Sequence, residues 1–184
     1  SRKGSDTESS HTTSVGYRSM WLNSAATANA GYSTAVGSGA LNAGALTIGA
    51  VNSTVAVGYE ALEFGSATTG TAQASVAIGA NALQAGSNTT GNLSNNVAVG
   101  YAALKIGSNT TGTVDENVAV GMSALYSNTT GTENVGLGGW TLTANTTGAY
   151  NVAVGTNALD ANTTASYNTA VGRNALGANT TATN

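Results

Sequence analysis

The side chains able to do acid–base or nucleophilic chemistry are few in this chain. Its 184 residues include one histidine, no cysteine, five Lys+Arg and eight Asp+Glu. A Ser-His-acid arrangement needs a base held against its nucleophile, and the lone His11 sits in the N-terminal segment outside the repeat. Without cysteine there is neither a disulfide framework nor a thiolate metal site. Two carboxylate pairs remain, Glu60/Glu63 and Asp115/Glu116, and paired carboxylates hydrolyse glycosidic bonds. Their ordinary reading is solvated charge. No Gly-Gly-x-Gly-x-Asp calcium repeat occurs, and no catalytic residue, metal ligand or cofactor is expected. Trp21, Tyr126 and Trp140 occupy variable positions; aromatic rings stack on sugar faces, so these three are the candidate receptor contacts.

Composition removes further classes. Charged residues are 7% and hydrophobic ones 41%, which is unlike a charge-rich disordered tail. Five basic against eight acidic residues give no basic face for nucleic acid. No apolar run reaches the roughly 18 residues of a membrane helix, and no basic-then-apolar leader pattern is present. Large core residues are scarce, so alanine and valine carry most of the apolar content.

The few reactive side chains are carried on an internal repeat. A glycine closing an Ala-Val-Gly-like segment recurs at Gly16, Gly37, Gly58, Gly79, Gly100, Gly121, Gly138, Gly155 and Gly172, at five intervals of 21 residues and then three of 17. The long unit, residues 96–112 (NVAVGYAALKIGSNTTG), differs from the short one, residues 151–165 (NVAVGTNALDANTTA), by two residues on each side of a Thr-Thr-Gly corner. Two extra residues leave the faces of a strand unchanged, because side chains alternate with period two. The same insertion would rotate a helix by about 200°. The units are therefore strands and corners: an all-β parallel solenoid of nine coils, wide over residues 12–121 and narrow over 122–184. Residues 1–11, with Arg2, Lys3, Asp6 and Glu8, read as a linker or remnant outside the repeat. The chain stops at Asn184 where another coil would begin, which reads as a piece of a longer fibre.

Columns assign faces. The residue before each glycine runs from Val15 to Val171 and is always Val, Ile or Leu; the fourth residue after it runs from Met20 through Leu41 and Leu62 to Leu176. Both columns are expected inside the coil. Between the Val/Thr and Val columns stands a column of small residues, mostly alanine, which permits close backbone approach and is expected to face copies of the chain. The glycine ends a strand and turns the chain, so a positive φ is expected there. Thr68-Thr69-Gly70 and its equivalents, including Thr47-Ile48-Gly49, form the opposite corner, preceded by Asn88, Asn109, Asn128, Asn145, Asn162 or Asn179. Such asparagines bond their own backbone and tolerate positive φ, and ladders of them between coils would satisfy polar groups. Tyr17, Tyr59 and Tyr101 share one column on alternate coils, too far apart to stack and placed to cover the roll's edge. Threonines adjacent at a corner differ from the flat Thr-x-Thr array that ice binding wants. Each coil has so thin a core that one chain is expected to need sister chains, arranged cyclically.

The Asn-Val-Ala-Val-Gly unit resembles the repeats of the YadA-like head of trimeric autotransporter adhesins. The longer unit, with Asn-Thr-Ala-Val-Gly-x-x-Ala-Leu and Asn-Thr-Thr-Gly, is similar to repeats of phage tail fibre and tailspike proteins, most closely over residues 168–181 (NTAVGRNALGANTT). The resemblance, covering about residues 12–184, implies a left-handed β-roll and a homotrimer around a threefold axis. It implies a non-enzymatic fibre module on a virion tail, a rigid stalk meeting a host-surface glycan or protein, without nucleic acid or membrane insertion. The alternatives are the head of a bacterial adhesin, on the outer surface of the cell, and a polysaccharide-degrading tailspike module. The pitch here exceeds the adhesin head's usual unit, which turns the reading toward the phage fibre.

Overall fold

In a computed structural model, residues 11–21, 31–43, 50–66 and 68–182 are described. Thr47-Ile48-Gly49 and residues 1–10 lie outside the described residues, as does Ala67. The chain winds as an all-β parallel solenoid of about seven turns, the outermost being incomplete among the described residues. Those residues contain strands, bridges and turns but no helix. The strands are β1 (Thr13–Val15), β2 (Thr34–Val36), β3 (Val55–Val57), β4 (Thr69–Thr71), β5 (Val76–Ile78), β6 (Thr90–Asn92), β7 (Val97–Val99), β8 (Val118–Val120), β9 (Val135–Leu137), β10 (Val152–Val154) and β11 (Thr169–Val171). One nine-stranded sheet has the order β1-β2-β3-β5-β7-β8-β9-β10-β11, every pair parallel and in register, Ala98 beside Ala119 for example. Each strand therefore meets its counterpart one repeat away, at the 21- and 17-residue spacings of the sequence.

The repeat glycines end these strands with φ between +121° at Gly155 and +136° at Gly58. They are also points of close approach. A Cβ on Gly100 would lie 2.7 Å from the carbonyl oxygen of Gly121 on the next turn, closer than packed atoms allow.

The faces of the strand are the reverse of the sequence expectation. The small-residue column is inside: Ala35, Ala56, Ala77, Ala98, Ala119 and Ala153 are fully buried. The Val columns on either side of it point outward, where Ile78, Leu137, Val15 and Val171 are 40%, 37%, 58% and 70% exposed. Space decides this. The interior is already filled by the leucine column, with Leu41, Leu62, Leu83, Leu104, Leu125, Leu142 and Leu159 fully buried as expected. A Cβ placed on Gly136, in the small column, would stand 2.8 Å from Thr141 Oγ1 and 3.7 Å from Leu125 Cδ1. A valine pointing inward has no room.

The two added residues on each side of the corner give the wide turns a larger core. Phe64, Ala85 and Ile106 form a ladder of parallel bridges along one side, facing the buried Val51, Ala72, Leu93 and Val114 on the other. Between these sides the Thr-Thr-Gly segment is a strand, not a bare corner: β4 pairs with β6, and Thr90 bridges to Thr111. Adjacent threonines thus alternate, Thr68 and Thr89 buried, Thr69 and Thr71 on the outer side. In the narrow turns the same segment is a bend closed by asparagine: Asn128 Nδ2 donates to the Gly131 carbonyl at 2.7 Å and its Oδ1 accepts the Gly131 N–H at 3.1 Å.

Asparagine ladders tie the turns together. Along the corner Asn145 Nδ2 donates to Asn128 Oδ1 (3.1 Å) and Asn162 Nδ2 to Asn145 Oδ1 (2.9 Å). In the wide turns Asn88 Nδ2 donates to Asn109 Oδ1 (3.0 Å), and here both residues do have positive φ. A second ladder, four residues before each repeat glycine, runs through Asn96, Asn117, Asn134, Asn151 and Asn168, all fully buried. From Asn96 to Asn151 each Oδ1 accepts the backbone N–H of the next asparagine at 2.9–3.0 Å. Ser75 begins it by accepting the Asn96 N–H. Buried polar groups must find partners, and the repeat supplies them from its own neighbour.

Candidate contact surfaces

Two surfaces carry the chain's distinctive side chains. The first is the outward face of the nine-stranded sheet. Because side chains alternate, the residues three and one before each glycine share this face, and they give a continuous stripe of Val, Ile, Leu and a few Thr from β1 to β11. Its members are half-buried or exposed in the single chain.

The second is the turn that follows each of these strands, where the positions two and five after the glycine are neighbours: Asn81 Nδ2 lies 3.1 Å from Gln84 Oε1. Glu60 and Glu63 meet here. Gln84 Nε2 donates to Glu60 Oε2 at 3.0 Å and to Glu63 Oε2 at 2.8 Å, while Asn81 donates to Glu60 and Asn42 to Glu63, each at 3.2 Å. Burial raises the Glu63 carboxyl above the ordinary range and the charge of Glu60 raises it further, against the lowering effect of the amide donors. A hydrogen bond to Glu60 raises the Tyr59 phenol in turn. The second carboxylate pair is separated by its bonding: Asp115 Oδ1 accepts the Ser94 N–H at 2.7 Å, while Glu116 is exposed.

The three candidate receptor aromatics lie on this turn strip. Trp21 and Tyr126 are in the column five after the glycine, five turns apart, roughly 24 Å at strand spacing. Trp140 is in the column two after it, on the turn next to that of Tyr126. Tyr126 and Trp140 are 42% and 44% exposed. Trp21 is half-buried, with the Arg18 guanidinium 4.3 Å from its ring centroid, a cation–π contact. The strip thus brings Tyr126 and Trp140 onto adjoining turns and leaves Trp21 distant. Tyr17, Tyr59 and Tyr101 are exposed, at the border of the sheet face.

Sequence reasoning missed the aromatic stacks, His11 on Tyr32 (centroids 5.2 Å apart) and Tyr150 on Tyr167 (4.9 Å). Both pairs stand five residues before the repeat glycines, one turn apart, a column whose variability concealed it. A hydrogen bond to Glu133 raises the Tyr150 phenol. Among the described residues no group of three or more His, Cys, Asp or Glu is placed to hold a metal ion, and no helix is long and apolar enough to cross a membrane. Comparison with protein-family models, curated proteins and solved structures finds no match.

Proposed function

We propose that this chain is a structural and adhesive fibre module: a β-solenoid rod that trimerises through its valine face and presents its turn strip to a host-surface receptor. The observation that carries the reading is the outward stripe of apolar side chains on the nine-stranded sheet, with Val15, Ile78, Leu137 and Val171 between 37% and 70% exposed. Contiguous apolar faces of this kind mark interaction surfaces. A stripe that runs the length of a regular rod is best covered by something of the same length and period, a second and third copy. The count of three, the left-handed roll and the setting on a phage tail come from the likeness of the Asn-Val-Ala-Val-Gly and Asn-Thr-Thr-Gly repeats to fibre repeats. The bacterial adhesin head shares the first two and differs in setting.

The function is mechanical. Hydrogen bonds and asparagine ladders along the axis stiffen the rod, and threefold display raises avidity for a weak ligand. Tyr126 and Trp140 are the receptor contacts of this reading, with a glycan or protein as partner. The polysaccharide-degrading reading draws support from the Glu60–Glu63 pairing, and glycan release from capsular polysaccharide, abolished by Glu63→Gln, is its test. For the principal reading the test is solution mass by light scattering: three chains are expected, and a folded particle of 17.9 kDa overturns it.

A further inference from the structure

The change from wide to narrow turns leaves a step in the middle of the rod. The Leu104 N–H still donates to the Ala124 carbonyl of the next turn at 2.8 Å, and pairing resumes where the Asp115 carbonyl accepts the Glu133 N–H at 3.2 Å. Between these points the narrow turn cuts across, and the wide corner projects past it by two residues of strand, roughly 7 Å. Four backbone groups whose equivalents are paired one turn below lose their partners here. The Gln84 carbonyl accepts the Ile106 N–H at 2.8 Å, but the Lys105 carbonyl has no such donor, because the Ser127 N–H turns to the Thr143 carbonyl at 3.1 Å. The Gly86 N–H donates to Ile106 at 2.9 Å and the Thr90 N–H to Thr110 at 2.8 Å; those of Gly107 and Thr111 have no acceptor among the described residues. The Ser87 carbonyl accepts the Asn109 N–H at 2.8 Å, and the Ser108 carbonyl accepts none.

The space above these groups is open. A Cβ on Gly86 would stand 2.5 Å from the Ser108 nitrogen of the next turn, whereas one on Gly107 would meet nothing within 4 Å. Gly107, Ser108 and Thr111 are exposed where Gly86, Ser87 and Thr90 are half-buried. Thr130 closes the far end, its Cγ2 lying 2.7 Å from the place of a Cβ on Gly112. Two side chains border the near end. Lys105 is half-buried and makes no ion pair among the described residues. Tyr126 follows it in the same column one turn on, 42% exposed. An open strand edge is a template for another strand, but Asn109, at φ 60°, bends this one between Ser108 and Thr111. A straight peptide could pair with only one arm of it. Two carbonyls and two N–H groups around a bend call instead for a compact ligand whose groups both donate and accept, as hydroxyls do.

We infer that the step binds an acidic saccharide of the hexuronate class. The sugar hydroxyls meet the carbonyls of Lys105 and Ser108 and the N–H groups of Gly107 and Thr111, the carboxylate pairs with the Lys105 ammonium, and the Tyr126 ring offers an apolar face with a polar tip. This inference rests on the reading of Tyr126 as a receptor contact, and it names the chemistry of that receptor.

Amide NMR of the isotope-labelled protein, titrated with D-glucuronate, D-galacturonate, D-glucose and acetate, tests it. At least one uronate is expected to shift the Gly107 and Thr111 amides with saturation in the millimolar range. Glucose lacks the carboxylate and acetate the hydroxyls, so each should bind about fivefold more weakly. Lys105→Gln should bring the uronate down to the level of glucose. Gly107→Leu places a side chain in the open space without meeting backbone, so it is expected to melt like the parent and to abolish the shifts. Silence from both uronates, acetate binding as tightly as they do, or uronate binding that survives Gly107→Leu overturns the site. So does tighter binding at these amides by the peptide Gly-Ser-Asn-Thr-Thr-Gly, the sequence of residues 107–112, which would make the step a strand-docking edge. Light scattering reads assembly separately. A three-chain mass with an empty step overturns the saccharide site and leaves the fibre module standing, whereas a single-chain mass with uronate binding does the reverse.

Discussion

The buried asparagine ladder makes a quantitative demand on stability, tested by Asn134→Ala. Asn134 Oδ1 accepts the Asn151 N–H (3.0 Å) and Asn151 Nδ2 (3.1 Å), and its Nδ2 donates to Asn117 Oδ1 (3.2 Å) and the Gly148 carbonyl (2.8 Å). Not all of these partners are stranded by truncation. Gly148 still accepts from Asn145 Nδ2, Asn117 Oδ1 from the Asn134 N–H, and Asn151 Nδ2 still reaches the Ala165 carbonyl. The Asn151 N–H alone loses its partner entirely, in a fully buried residue. One orphaned buried donor costs about 1–3 kcal/mol and each further lost bond about 0.5–1 kcal/mol, so a total of roughly 3–5 kcal/mol is expected. The last rung provides the control. Asn168 Nδ2 donates to Asn151 Oδ1 (3.0 Å) and the Ser166 carbonyl (3.3 Å), while its Oδ1 is buried without a partner. Asn168→Ala therefore orphans no donor and is expected to cost about 1–2 kcal/mol. Asn134→Ser should fall between, because Ser75 shows that a hydroxyl in this column accepts the next N–H and donates to a carbonyl. Urea unfolding followed by circular dichroism, at one protein concentration because assembly is linked to stability, reads all three. In a quasi-one-dimensional stack a central weak rung also uncouples the turns on either side, so the Asn134→Ala transition should broaden. An Asn134→Ala cost below that of Asn168→Ala would falsify the ladder account.

Other substitutions probe the remaining assignments. Ala98→Leu crowds a fully buried position and should destabilise by about 1–3 kcal/mol or more, whereas Val99→Asp, on the opposite face of the same strand, should keep the far-ultraviolet spectrum and lower the light-scattering mass; the reverse pattern contradicts the face assignment. Gly100→Ala places a Cβ 2.7 Å from the Gly121 oxygen at φ +131° and is expected to cost about 2–4 kcal/mol in the same urea assay; a neutral result would show the turn-to-turn approach to be looser. Because the folded Glu63 carboxyl is raised, chiefly by burial, its contribution is full below the unfolded carboxyl range and is lost as pH rises through the raised value. Glu63→Gln should flatten that decline and be at least as stable as the parent at neutral pH; an unchanged pH profile counts against the burial of this group.

The turn spacing was legible because a mechanical constraint writes itself once per repeat. Each strand must meet an equivalent strand, so Gly16 to Gly172 recur at fixed intervals, and the two-residue difference between the units preserved the strand faces as period-two geometry requires. The leucine column was legible for the same reason. The orientation of Val-Ala-Val was not, since both columns are apolar and the larger side chain is the natural choice for a core. Nor was the Thr-Thr-Gly strand, which has to bridge the two longer sides of the wide turns. On the turn strip, Glu60 and Glu63 are close in sequence and read as a pair, but the Gln84, Asn81 and Asn42 amides that bind them come from adjacent turns. Trp21, Tyr126 and Trp140 looked alike as variable aromatics, and their placement separated Trp21 from the other two.

The sequence by itself determined the parallel stacking, the two widths and the positions of the tight glycine turns, because these repeat along one dimension and need no knowledge of what lies across the coil. Only the tertiary structure decided which apolar column is core and which is surface. That choice depends on the room left between opposing walls, and the leucines filling the interior leave space for alanine and turn the valines outward.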